Sequence, residues 1–145
     1  MALIRCSTSS GGGGLSETTL WQNQNPTSDF GSGSSATTIT LSESIQNFTY
    51  IGVYFKQYKT YTITSNPERF ATVYISVEDF EKCLSSTTSP QFVISGMAQV
   101  SYLATWVRSI WKKTDTTIDI GGAVQKNGTS VENAVAIPLK IIGLK

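Results

Sequence analysis

The sequence contains many short runs in which apolar and polar residues alternate, and this spacing limits the chain to β structure. Residues 36–41 read Ala-Thr-Thr-Ile-Thr-Leu, and residues 69–77 read Arg-Phe-Ala-Thr-Val-Tyr-Ile-Ser-Val. β-branched and aromatic residues favour strands, and alternation with a period of two places every second side chain on a buried face. Clusters of Asn, Pro, Ser and Gly separate these runs, as turns do. We therefore predict an all-β protein.

The same pattern recurs often enough to predict roughly seven to nine short strands and an antiparallel β-sandwich of jelly-roll-like type. Residues 77–84, which Ser76 could cap, are the one helix-like stretch. Two strands within residues 91–111 are expected to meet or bend near Gly96. Pro138 has no N–H to donate, so the last strand is predicted to lie at a sheet edge. The other strands are predicted near residues 19–22, 36–41, 47–58, 59–64, 69–77, 114–120 and 134–144.

The strand predicted over residues 47–58 has two different faces. Ile51, Val53 and Phe55 share one face, and the other face or its ends carry Tyr50, Tyr54, Lys56 and Tyr58. In the strand predicted over residues 69–77, Ala71, Val73 and Ile75 point inward and Phe70 and Tyr74 outward, or the reverse.

Residues 1–19 are predicted to form an extended N-terminal arm, and residues 20–145 the β-sandwich domain. Residues 7–14 read Ser-Thr-Ser-Ser-Gly-Gly-Gly-Gly, which cannot fold alone. Fully extended, such an arm reaches about 60 Å. We expect it to lie along a neighbouring protein, with Leu3, Ile4 and Leu15 as its contact residues. The start also lacks the apolar core of a signal peptide, and no run approaches the ~20 apolar residues of a membrane span.

Composition argues for an assembly rather than for a charged partner. Charged residues make up 14% of the chain and the net charge is +1, so no field concentrates nucleic acid or acidic lipid. Ser and Thr supply about a quarter of the residues, and a surface made polar by hydroxyls suits long-lived packing because few ions must be desolvated. Cys6 and Cys83 are far apart in sequence, and we expect both thiols to be unpaired.

The sequence offers little for catalysis. It contains no histidine and two cysteines, which removes His-based triads, His-containing zinc sites and the four-thiolate zinc site. No phosphate-binding loop is present. We predict no cofactor, no metal and no enzymatic activity. A glycosidase-type carboxylate pair stays open as an alternative, with candidates that we interpret as structural: Asp29, Glu78, Asp79, Glu81, Asp115 and Asp119.

Tyrosines near one predicted hairpin are the strongest candidates for binding. Tyr54, Tyr58 and Tyr61 are the proposed site residues, with Lys56 and Lys59 beside them. Tyrosine next to lysine could stack on sugar rings or nucleobases, although the neutral charge argues against nucleic acid. Tyrosine is also enriched at subunit interfaces, and we favour an interface over a ligand platform.

Four stretches carry a resemblance to a known family. They are Leu-Trp-Gln-Asn-Gln-Asn-Pro-Thr-Ser-Asp-Phe at 20–30, Thr-Ile-Thr-Leu-Ser-Glu-Ser-Ile at 38–45, Asn-Phe-Thr-Tyr-Ile-Gly-Val at 47–53, and Ile-Pro-Leu-Lys-Ile-Ile-Gly-Leu-Lys at 137–145. The chain thereby resembles small structural proteins, and the C-terminal domains of tail-fibre or minor structural proteins, of tailed bacteriophages and prophages of gut bacteria. The resemblance spans most of residues 20–145 and implies a surface-exposed virion component that is often trimeric.

The expected function follows from that resemblance. We expect a non-enzymatic virion protein of the tail-fibre or receptor-binding type, made in the host bacterial cytoplasm, which mediates host attachment. Its expected partners are other virion proteins, copies of itself in a trimer, and a host cell-surface glycan, without nucleic acid and without membrane insertion. Two alternatives stay open: a capsid decoration protein (head fibre or cement) anchored by its N-terminal arm, and a free carbohydrate-binding module.

Overall fold

A computed structural model describes residues 14–58, 69–85, 87–99, 103–125 and 130–145, with only the backbone of residues 58, 97–99 and 103–104. Within these ranges the chain forms nine strands, one short α-helix and one 3-10 turn. Their bounds are β1 (Glu17–Gln22), β2 (Thr37–Thr40), the 3-10 turn (Ile45–Asn47), β3 (Tyr50–Tyr58), β4 (Phe70–Ser76), α1 (Val77–Phe80), β5 (Phe92–Gln99), β6 (Leu103–Thr114), β7 (Thr117–Ile120), β8 (Val124–Gln125) and β9 (Val135–Leu144).

Two antiparallel sheets pack face to face, which confirms the predicted all-β sandwich with one short helix. The first sheet has the strand order β1-β9-β3-β4, and the second has the order β2-β7-β6-β5 with β8 paired to β6. The inward face of β3 follows the predicted alternation, because Ile51, Val53 and Phe55 are buried in the core. β1 begins at Glu17 and pairs with β9, so residues 17–19 belong to the first sheet. The strand predicted at 59–64 lies outside the described residues.

The prediction that Pro138 marks an edge strand is wrong. β9 lies between β1 and β3 in the middle of the first sheet. Pro138 pairs with Phe55, next to a register shift between Tyr54 and Phe55 where the ladder is interrupted. A proline is tolerated at such an irregularity because no regular ladder bond requires its N–H. Asn23 satisfies the Pro138 carbonyl, because its Nδ2 donates a hydrogen bond to that oxygen at 2.9 Å.

The chain also does not turn or break at Gly96. That residue lies inside β5 and pairs with Trp106 of β6, and the two strands are joined by residues 100–102. A Cβ on Gly96 would lie 2.5 Å from the carbonyl oxygen of Gln57 and 2.9 Å from the backbone nitrogen of Ala136. The glycine is therefore required by the close approach of the two sheets rather than by a bend.

Helix α1 is shorter than the predicted range of 77–84, because it ends at Phe80. Ser76 caps it as predicted, and its side chain accepts a hydrogen bond from the Asp79 backbone nitrogen at 3.1 Å. Phe80 is fully buried and packs edge-to-face on Phe92, with ring centroids 5.9 Å apart. Cys83 is a free, buried thiol, and burial raises its pKa.

Arg108 on β6 is fully buried in the core. Its guanidinium donates to three backbone carbonyls, with Nε 3.0 Å from the Val135 oxygen, Nη1 2.9 Å from the Gly121 oxygen and Nη2 2.9 Å from the Asn133 oxygen. The ring of Phe30 lies against the same group, 5.5 Å from the guanidinium carbon. Burial lowers the pKa of Arg108 to about 10, opposed by the charge of Asp29, so the side chain stays charged at neutral pH. Arg108 therefore ties β6 to the chain leading into β9.

Candidate contact surface on the first sheet

The outer face of the first sheet carries a row of aromatic side chains, which we call the aromatic face: Tyr50, Tyr54, Phe70 and Tyr74. The register of β3 on β4 puts them together. Gly52 pairs with Tyr74, Tyr54 with Thr72, and Lys56 with Phe70, so these residues share the face opposite the buried one. Tyr50, Phe70 and Tyr74 are 39%, 47% and 54% exposed.

Tyr54 and Phe70 form the centre of the aromatic face. Their rings are stacked, with centroids 5.7 Å apart and planes 16° from parallel. Phe70 lies on the terminal strand, so its ring shields Tyr54 on one side. Lys140 of β9 lies on the other, with Nζ 6.0 Å from the Tyr54 ring centre. The same ammonium is 2.8 Å from Oε1 of Glu17, so its charge is balanced.

Tyr74 lies across the sheet rather than pointing straight away from it. A Cβ on Gly52 would lie 2.7 Å from Cε1 of Tyr74 and 2.8 Å from Cγ1 of Ile142. The absence of a side chain at Gly52 therefore creates the space that the Tyr74 ring occupies. One side of the ring contacts the sheet, and just over half of the side chain stays open to solvent.

This arrangement suits a partner that offers apolar surface and hydroxyl groups. Aromatic rings contribute large apolar contact area at low entropic cost, and tyrosine adds a hydroxyl that can donate and accept. The ion pair of Lys140 with Glu17 at its margin carries no net charge. A sugar ring or an uncharged protein surface fits this chemistry, whereas a phosphate backbone would require cations.

The structure describes only some of the predicted site residues. Tyr54 is part of the aromatic face, while Tyr58 is described only as backbone in β3 and Tyr61 lies outside the described residues. Leu3 and Ile4 of the proposed arm also lie outside them. Leu15 is described and is 52% exposed.

Phe70 and Tyr74 were not among the predicted site residues, although they are the most exposed rings of the aromatic face. Their alternation in β4 allowed either orientation. The missing information was the pairing of β4 with β3, which fixes both residues beside Tyr54. Pairing the strands predicted at 47–58 and 69–77 as a hairpin would have identified them.

Five of the six candidate catalytic carboxylates form ion pairs with lysines. Asp79 lies 2.8 Å from Lys82, and Asp119 lies 3.8 Å from Lys113. A hydrogen bond from Lys82 lowers the pKa of Asp79, and one from Lys112 lowers the pKa of Asp115. A general acid needs the opposite shift, because it must hold its proton at neutral pH.

Glu81 and Asp115 come together from different elements, and Lys112 lies between them. Its ammonium is 2.7 Å from Glu81 and 2.5 Å from Asp115. Gln46 donates to Glu81 at 2.6 Å. These contacts link β6, the end of α1 and the 3-10 turn, and the single charge of Lys112 is shared by both carboxylates. We interpret the cluster as a structural link.

Among the described residues, no group of three or more His, Cys, Asp or Glu side chains is placed to hold a metal ion. In that part of the chain, no helix has the length and apolar character needed to cross a membrane. Comparison with models of protein families and with curated proteins finds no match for this chain.

Proposed function

We propose that this chain is a non-enzymatic structural protein of a phage particle, of the receptor-binding type, and that its aromatic face contacts a glycan on the host cell. The observation that carries the proposal is the aromatic face itself, with Phe70 and Tyr74 each about half exposed. Solvent-exposed rings grouped on one face are typical of recognition surfaces.

The attribution to a phage particle rests on the resemblance of residues 20–30, 38–45, 47–53 and 137–145 described above. The fold is compatible with that role. A sandwich whose core is closed by aliphatic residues of both sheets holds a surface rigidly, and rigid presentation reduces the entropy lost on binding. The ion-paired carboxylates support a binding role over a hydrolytic one.

One side of the Tyr74 ring lies against the sheet at Gly52. The opposite side is free to stack on the apolar face of a pyranose, and for this reason we favour a sugar as the ligand. Thr72 on β4 and the Lys140–Glu17 pair lie around the rings and offer hydrogen bonds to sugar hydroxyls. These polar groups would fix the orientation of the sugar.

Removing single rings from the aromatic face should weaken glycan binding. We expect Phe70→Ala and Tyr74→Ala each to lose about 1–2 kcal/mol of binding free energy, roughly 5- to 30-fold in affinity. The measurement is a binding titration on the bacterial polysaccharide to which the parent chain binds best in an array.

Leu84→Ala is the matched control, because Leu84 is a 63% exposed apolar residue outside the aromatic face. Its affinity should equal that of the parent. An array without any binding, or full binding by Tyr74→Ala, would rule out glycan recognition by the aromatic face. Glycan turnover by the parent chain would rule out the non-enzymatic part.

Capsid decoration is the second candidate, favoured by how the N-terminal segment joins the domain. Ser16 lies next to the C-terminus, since the Lys145 backbone nitrogen donates to its carbonyl at 3.1 Å. Leu15 just before it is exposed. An arm attached there could hold the domain on a lattice. Binding to undecorated phage heads that depends on Leu3 and Ile4, without glycan binding, would favour this role.

A further inference from the structure

The terminal strand β5 has an open edge. Among the described residues it pairs with one strand, β6, and the second sheet ends there. Its eight residues, Phe-Val-Ile-Ser-Gly-Met-Ala-Gln, include no charge and no proline. Natural proteins usually protect such an edge with charges, prolines or bulges, because its unpaired backbone groups accept another strand.

The inner face of β4 lies half-covered on the same side of the sandwich. β5 packs chiefly against β3 and β9. The inward residues of β4, Ala71, Val73 and Ile75, are correspondingly only half-buried, although they contact the core. One more strand added to β5 would lie opposite β4 and cover them. We call this place, between the β5 edge and the inner face of β4, the open slot.

We propose that the open slot accepts residues 2–7 of a neighbouring copy of this chain as an added strand. That segment reads Ala-Leu-Ile-Arg-Cys-Ser. Leu3 and Ile4 are consecutive, so in a strand they point to opposite faces. The slot offers an apolar contact on each face, with exposed Val93 outside and half-buried Val73 and Ile75 inside. Backbone hydrogen bonds to β5 would add affinity.

The topology favours a neighbouring copy over the same molecule as the donor. The arm joins β1, and β1 lies beside the end of β2, since Ser42 donates to the Leu20 carbonyl at 2.9 Å. β1 and β4 are opposite ends of the first sheet, three strand spacings or about 14 Å apart. Residues 14–16 join β1 at the end of the sheet away from the slot. An arm of the same molecule would have to cross the sandwich to reach the slot, whereas a neighbouring copy can present its arm from outside. A donor on one side and an acceptor on the other make a head-to-tail contact, which closes into a ring when the rotation permits.

The test separates donor from acceptor in the full chain. Ile4→Pro removes a backbone donor from the arm and leaves the slot intact. Val93→Lys places a charge on the β5 edge and leaves the arm intact. We expect the parent chain to be oligomeric by sedimentation and each variant to be monomeric. An equimolar mixture of the two variants should form a heterodimer, because one intact arm and one intact slot remain.

Ile4→Val and Val93→Thr are the matched controls and should keep the mass of the parent. Ser95→Lys, on the same exposed face of β5, replaces Val93→Lys if circular dichroism shows that the latter is unfolded. A monomeric parent, an oligomer that survives Ile4→Pro, or a mixture without heterodimer would overturn the proposal. None of these results depends on glycan binding, so the proposed function is tested separately.

Discussion

Arg108→Ala should destabilise the folded chain by about 3–5 kcal/mol. The substitution leaves the carbonyls of Val135, Gly121 and Asn133 without the donor that satisfies them, and each lies within 3.0 Å of the guanidinium. A buried acceptor without a partner costs about 1–3 kcal/mol. The vacated volume beneath Phe30 adds a cavity cost. The measurement is the free energy of unfolding from urea denaturation.

Two further variants serve as controls, one for the loss of side-chain volume at Arg108 and one for the loss of a cation. Arg108→Met keeps a long stem without donors and should recover the packing but not the hydrogen bonds, so we expect a loss nearly as large. Lys113→Ala removes a cation that is 54% exposed in its side chain, and should change stability by less than about 0.5 kcal/mol. Parent-like stability of Arg108→Ala would show that Arg108 does not hold the second sheet to β9.

Gly96→Ala should cost about 2–3 kcal/mol, although it adds one methyl group to a residue of ordinary backbone conformation. The new Cβ would lie 2.5 Å from the Gln57 carbonyl oxygen and 2.5 Å from Cγ1 of Val135. The first of these is backbone of β3, which cannot move aside without disturbing its pairing with β4 and β9. Urea denaturation again measures the effect.

Gly121→Ala is the control for Gly96→Ala. A Cβ on Gly121 would have its nearest contacts at 3.5 Å, with the Ser109 carbonyl oxygen and the Trp111 ring. These are ordinary van der Waals distances, so stability should stay within about 0.5 kcal/mol of the parent. Equal stabilities of the two variants would contradict the close approach of the sheets at Gly96.

The fold class could be predicted from the sequence because alternation is a local property. β2, β3, β4 and the inward residues of β3 lie where the spacing of β-branched and aromatic residues indicates. Strand order is not local, and the prediction that depended on it, an edge position for the last strand, is wrong. Pro138 indicates an edge by its chemistry, but its position beside a register shift allows β9 to be central.

The candidate site was only partly predictable for the same reason. Tyr54 could be assigned to an outer face from its own strand, whereas Phe70 and Tyr74 join it through the pairing of two strands. Gly52 has no signal of its own in the sequence, yet it makes room for the Tyr74 ring. Arg108 lies two residues from both Trp106 and Ile110 in β6, so the three share one strand face, and its burial follows from that face turning inward.

Attachment to intact bacteria tests most directly whether the aromatic face contacts the host surface. Fluorescently labelled parent chain, the double variant Phe70→Ala/Tyr74→Ala and the Leu84→Ala control are incubated with a panel of gut bacterial isolates, before and after periodate oxidation of their surface glycans. We predict that the parent and the control attach to untreated cells of at least one isolate, and that oxidation or the double variant abolishes attachment. Attachment of the double variant at the parent's level would contradict the proposed function.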